Sequence, residues 1–186
     1  LVLQAQVLFT VLLAWFGLRE RPRREQLVGV LLGTVGLCLI AVAHGVSAPI
    51  VPQLVTVAAA GSWAIGNVLV RHAKVTSGLS MVVWSGLVVP IPALALSLLI
   101  DGPAAVADGF ASFGWASILG TAYTVIAASL VGYTIYNGLL ARHPATSVVP
   151  YILLVPVVGI ASAWLVLHEV PSIGELVGAA IMLLGV

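Results

Sequence analysis

Seven apolar runs, each close to the length needed to cross a hydrocarbon layer, follow one another along this chain with only short polar breaks between them. They span Leu1 to Leu18, Gln26 to Ala43, Leu54 to Val70, Met81 to Ile100, Trp115 to Leu139, Ser147 to Leu167 and Ile173 to Val186. Apart from Glu175 in the opening turn of the last, none holds an Asp, Glu, Lys or Arg. A backbone in hydrocarbon must satisfy its own N–H and C=O groups, so runs of this length are helices. With 61% hydrophobic and 7% charged residues, no water-soluble globule can be built around them. The fold class is an all-α membrane protein with no separate soluble domain. The fifth run is long enough that it is expected to tilt or break. The chain opens at Leu1 within an apolar run that lacks the charged front and cleavage site of a signal peptide, so it reads as a piece whose own N-terminus lies upstream. The lone cysteine, Cys38, lies in mid-span and has no partner for an intrachain disulfide.

The basic residues fix an orientation. All seven Lys and Arg side chains fall in alternate breaks: Arg19, Arg21, Arg23 and Arg24 in the first, Arg71 and Lys74 in the third, Arg142 in the fifth. The breaks bearing Asp101, Asp108 and Glu169 have none. By the positive-inside rule the basic breaks are cytoplasmic, and one span more or fewer would scramble the pattern. His72 and His143 are expected at inner helix ends, and His44 and His168 at outer ones, as solvated side chains without metal-ligand spacing.

Within this frame a short string occurs twice. Ala14-Trp15, Leu18, Glu20, Pro22, Leu27-Val28-Gly29 and Gly36 recur, each 149 positions later, as Ala163-Trp164, Leu167, Glu169, Pro171, Leu176-Val177-Gly178 and Gly185. Five crossings separate the copies, so the second enters the membrane upside down relative to the first. Inverted repeats are the architecture of secondary carriers that alternate access around a central site. In both copies the proline is expected in the first turn of the returning helix, with Glu25 or Glu175 near that helix's positive end.

The doubled Leu-x-Glu-x-Pro string, followed by Leu-Val-Gly and a later Gly, resembles the EamA-type domain of the drug/metabolite transporter superfamily. The resemblance implies a ten-helix carrier built from two inverted five-helix halves. The seven spans would be helices four to ten, with residues 1–44 ending a first repeat and 54–186 forming a second. Several strings are most similar to the bacterial inner-membrane exporters of O-acetylserine and cysteine: Leu1-Val2-Leu3-Gln4-Ala5-Gln6, Ser62-Trp63-Ala64 with Gly66-Asn67, Trp84-Ser85, Val131-Gly132-Tyr133 and Leu154-Val155-Pro156-Val157-Val158-Gly159. That similarity implies export of small metabolites, such as amino acids and their derivatives, from a multi-pass protein of the bacterial inner membrane. The Tyr136-Asn137 pair departs from that pattern.

No intramembrane ion marks a coupling site, so the polar residues inside the spans are the candidates for substrate contact. They are Gln4 on the first span, with Gln6 about 200° away around the helix; Trp63 and Asn67 one turn apart on the third; and Ser129, Tyr133 and Asn137, spaced by four on the fifth, with Tyr136 beside them. An amide in hydrocarbon needs a partner or a wet cavity, so two uses are open: lining a transport path, or bonding helices to one another. Tyr133 and Tyr136 have a third, in an interfacial aromatic belt, and Trp15, Trp84, Trp115 and Trp164 are expected there. Pro90, Pro92 and Pro156 should release the carbonyls of Gly86, Val88 and Ile152, which could receive an ammonium group or simply bend the helix.

Gly29 and Gly33, and Gly174 and Gly178, form faces suited to close helix contact, either within one carrier or between two copies as a homodimer. An enzyme would need a nucleophile with its base, paired acids or a metal cluster, and the spans supply none. A merely structural subunit gives no reason for an inverted repeat. The expected partners are a small-molecule substrate and the lipid bilayer, without nucleic acid, cofactor or metal.

Overall fold

The computed structural model describes residues 2–43, 49–74 and 77–185, so the reading of His44 lies outside it. Eight helical segments carry the fold: α1 (Val2–Leu18), α2 (Arg24–Ala43), α3 (Ile50–Ala73), α4 (Gly78–Ile100), α5 (Gly102–Ala111), α6 (Trp115–Arg142), α7 (Ala145–Leu167) and α8 (Ile173–Leu184). A helix stands at each of the seven expected spans; five are long and apolar enough to cross a membrane, while Val2–Leu18 and Ile173–Leu184 are shorter, and no strand occurs among the described residues. The connection between the fourth and fifth spans contains α5. Large apolar side chains lie on the outside, as in Phe16, Leu99 and Ile173, the reverse of a soluble fold and the condition of a surface solvated by lipid.

The helices group into two compact units, Leu1–Ala73 with Arg142–Val186, and Lys74–Ala141. In the first, α1 packs on α3 through small and β-branched side chains. Val7, Val11 and Ala14 of α1 and Ala60 and Ala64 of α3 are all buried. The start of α7, a 3₁₀ stretch over Val149–Leu153, fills the space beside them with Val149, Pro150 and Leu153.

The contact between α2 and α8 makes the repeat visible in three dimensions. A Cβ added to Gly36 would stand 2.5 Å from the Gly178 carbonyl oxygen, and one on Gly178 would stand 2.7 Å from that of Gly36. A Cβ on Gly185 would come 2.6 Å from the Gly29 carbonyl, and one on Gly29 would strike the Gly185 carbonyl. Since Gly178 copies Gly29 and Gly185 copies Gly36, each glycine touches the copy of the other. That exchange is what a two-fold relation between antiparallel helices produces. The glycine faces are thus engaged within one chain, with Gly174 against Ala43 and Gly33 against Leu153.

The turns before these helices are also copies. Arg19 and His168 both close their helices in the left-handed conformation, at φ 57° and 56°, with N–H groups bonded to Ala14 and Ala163. The next helices start at Arg24 and Ile173, which puts Pro22 and Pro171 before the caps and not in the first turn. The capping residues are Arg23 and Ser172. Gln26 accepts the Arg23 N–H at 2.9 Å, and Glu175 accepts the Ser172 N–H at 2.6 Å in a capping box. Gln26, and not Glu25, is therefore the counterpart of Glu175.

The second unit holds α4, α5 and most of α6. α4 breaks its hydrogen-bond ladder at Val89, where Pro90 and Pro92 supply no N–H, but Val89 keeps helical angles and the direction continues. Residues Thr124–Tyr133 of α6 are π-helical. Gly78 at the start of α4 rests against the Thr134 carbonyl and the Gly138 nitrogen, so no side chain fits between these helices there.

Candidate functional site

In the first unit the polar residues collect along the seam between α1 and α3. The small side chains of Ala60 and Ala64 let α1 approach, and Asn67 continues their stripe one turn further on. Its Nδ2 donates to Thr10 Oγ1 at 3.1 Å, while the Thr10 hydroxyl donates to the Gln6 carbonyl at 2.7 Å. Gln6, Thr10 and Asn67 are 3%, 0% and 5% exposed. Thr10 was missed by sequence reasoning, yet it lies one helical turn from Gln6, and that spacing is a readable signal.

The two glutamines differ from Asn67 in one respect. The side-chain oxygens of Gln4 and Gln6 are buried with no hydrogen-bond partner, although α1 brings both into the region facing α3. Two desolvated acceptors are an unfavourable arrangement that a donor would relieve. Trp63 is half-buried on α3, one turn before Asn67.

Pro156 lies near the start of the regular part of α7, after the 3₁₀ stretch. There the Leu154 N–H reaches the Tyr151 and Ile152 carbonyls, so the Ile152 oxygen expected to be released already has a donor.

In the second unit Ser129 and Tyr133 lie in the π-helical run, whose hydrogen bonds reach five residues back, and Asn137 lies in the α-helical stretch beyond it. Asn137 is buried, Tyr136 and Ser129 are half-buried, and Tyr133 is 37% exposed. The rings of Tyr133 and Tyr136 meet edge to face at 6.2 Å. The Tyr136 hydroxyl and the neighbouring Thr134 hydroxyl are buried without partners. Thr134 was also overlooked, and its signal is only that it is one more hydroxyl in an apolar run.

Among the described residues no three His, Cys, Asp or Glu side chains converge as metal ligands. Inside the spans, then, this chain presents amides, hydroxyls and indoles, groups that recognise a neutral or zwitterionic solute by directional hydrogen bonds and shape.

Residues 52–186 match the EamA-like transporter family. The chain belongs to that family. It is 37% identical over 191 residues to a Salmonella typhimurium protein named "Probable amino-acid metabolite efflux pump", and 36% identical to the Escherichia coli protein of that name; both matches take in 100% of this chain and 64% of the relative. A Streptantibioticus cattleyicolor protein named "Probable terminal-alkyne amino-acid exporter" is 31% identical over 186 residues, 96% of this chain and 58% of its own. The chain thus spans just under two thirds of the length of these relatives. No solved structure matches it. Membership in this family bears out the resemblance drawn from the doubled string.

Proposed function

We propose that the complete carrier exports small amino-acid-like metabolites from the cytoplasm across the bacterial inner membrane, with cysteine and O-acetylserine as the finer expectation. The chain supplies the last two helices of a first repeat, residues 1–44, and a second repeat, residues 54–186. Its basic helix ends face the cytoplasm by the positive-inside rule. The observation that carries the reading is the exchanged glycine contact of α2 and α8. It supports a two-fold axis in the membrane plane, the symmetry by which such carriers present one site to either side. The names of the relatives support an amino-acid class of solute.

In this reading the candidate substrate contacts are Gln4, Trp63, Asn67 and Pro156 within the first unit and, taken by themselves, Ser129, Tyr133, Tyr136 and Asn137 within the second. Within the first unit an α-ammonium group would satisfy the unpartnered oxygens of Gln4 and Gln6. No permanent intramembrane charge is required. For Asn67 a second reading is favoured by its bond to Thr10: the amide holds α1 to α3 and leaves recognition to the glutamines.

The test is an unbiased comparison of culture media from cells making the complete carrier and cells lacking it. Accumulation of an amino acid or a close derivative outside the producing cells is expected, together with greater tolerance of a load of that compound. No change in any metabolite, with the protein verified in the membrane, would refute the export reading.

A further inference from the structure

The Glu of the doubled string has work at the basic end of the first unit that the transport reading above does not use. Glu20 follows the left-handed cap of α1, and its carboxylate is divided between two other helices. Oε1 accepts from Arg71 Nε, in the last turn of α3, at 2.6 Å. Oε2 accepts the backbone N–H of Ala145, the first residue of α7, at 2.8 Å, where the helix dipole favours an anion. The two charged side chains are only 15% and 19% exposed, so water competes weakly for them. Beside them Gln26 Nε2, in the first turn of α2, donates to Ser147 Oγ of α7 at 2.8 Å. One carboxylate and one amide thereby tie four helix ends together. They join segments on both sides of the boundary between the proposed repeats, and Thr146 beneath them is 2% exposed.

A carrier that exposes one site alternately must close one face while the other opens, and ties between repeats at a membrane face are what must break. We propose that Glu20 is the latch of the basic-face gate, closed in this structure, and that access from that face requires its carboxylate to leave Arg71 and the α7 N-terminus. The inversion gives the latch a counterpart. Glu169 stands 149 positions later in a turn of the same conformation at the opposite face, and it is exposed.

The inference rests on the carrier reading, but its test needs no substrate, so each can fail alone. The complete carrier is made with its cysteines replaced, Cys38 included, and with Thr146→Cys as the only thiol. Labelling by a membrane-impermeant maleimide is timed on inside-out vesicles, where the basic face is outside. Glu20→Gln keeps an oxygen able to accept the Ala145 N–H but removes the charge, so the labelling rate should rise on the order of tenfold, the equivalent of one charge-assisted hydrogen bond. Arg71→Gln should raise it similarly. The exchange Glu20→Arg with Arg71→Glu, which restores the ion pair but not the bond to Ala145, should bring the rate part of the way back. Glu169→Gln should not raise it. Rates within twofold of the parent in both Glu20→Gln and Arg71→Gln would overturn the proposal. So would a rise accompanied by an equal loss of thermal stability in detergent, since that describes a structural clasp that opens only with the fold.

Discussion

A methyl group added at the α2–α8 joint is the sharpest probe of the two-fold relation, because the geometry states what it meets. In Gly36→Ala the new Cβ starts 2.5 Å from both the Gly178 carbonyl oxygen and Met182 Cγ. Non-bonded carbon contacts settle at about 3.5–4.0 Å, so the helices must part by roughly 1 Å or the ladder must bend. Overpacking of this kind costs about 1–3 kcal/mol, and the higher helix propensity of alanine returns up to about 1 kcal/mol, leaving a net loss of about 1–2 kcal/mol. Gly178→Ala, whose Cβ would meet the Gly36 carbonyl at 2.7 Å and Ile40 Cγ1 at 2.6 Å, should lose a similar amount. The double variant should lose less than the sum by at least about 0.5 kcal/mol, since the second methyl enters a joint the first has already opened. Gly61→Ala is the control: beyond its chain neighbours and its own helix backbone, no described atom lies within 4 Å of its Cβ, and its stability should hold or rise. Denaturation in mixed detergent micelles followed by circular dichroism reads all four. The reasoning fails if Gly36→Ala is as stable as the parent, or if Gly61→Ala is equally damaging.

Three further outcomes follow from particular contacts. Asn67→Leu removes the bond to Thr10; if that bond is helix glue, stability should fall by about 0.6–1.7 kcal/mol with transport per folded molecule intact, whereas a transport loss at unchanged stability would make Asn67 a substrate ligand. His168→Gly relieves a left-handed φ of 56°, which costs a non-glycine residue about 1–2 kcal/mol, and the melting temperature should hold or rise despite the greater freedom of glycine in the unfolded chain; a clear drop would mean the imidazole itself is bonded. For orientation, a cysteine at Asp108 should react with an impermeant thiol reagent on intact cells and one at Lys74 should not; the opposite result would invert the topology.

Much of this architecture is determined by the sequence alone. The positions of the apolar helices, their approximate ends and the segregation of the basic breaks are properties of one residue at a time. A lipid tail excludes any charge, and a membrane face selects Lys and Arg wherever they stand. The repeat is legible for the same reason, as identity at fixed spacing. The structure departs from the sequence expectations in local detail, such as the position of Pro22, the choice of Glu25 over Gln26 and the Ile152 carbonyl, which already has a donor. Tertiary structure decided what depends on pairs. Neither Gly36 nor Gly178 announces that it will rest on the other's carbonyl, and Glu20 carries no mark of Arg71 or Ala145. The partner of Asn67 was open to any helix until α1 was seen to bring Thr10 to it. The π-helical run in α6 belongs to the same class, since a choice between four- and five-residue hydrogen bonding leaves the apolar composition unchanged. In a bilayer, hydrophobicity settles which segments cross, and contact geometry and hydrogen-bond partners settle how they meet.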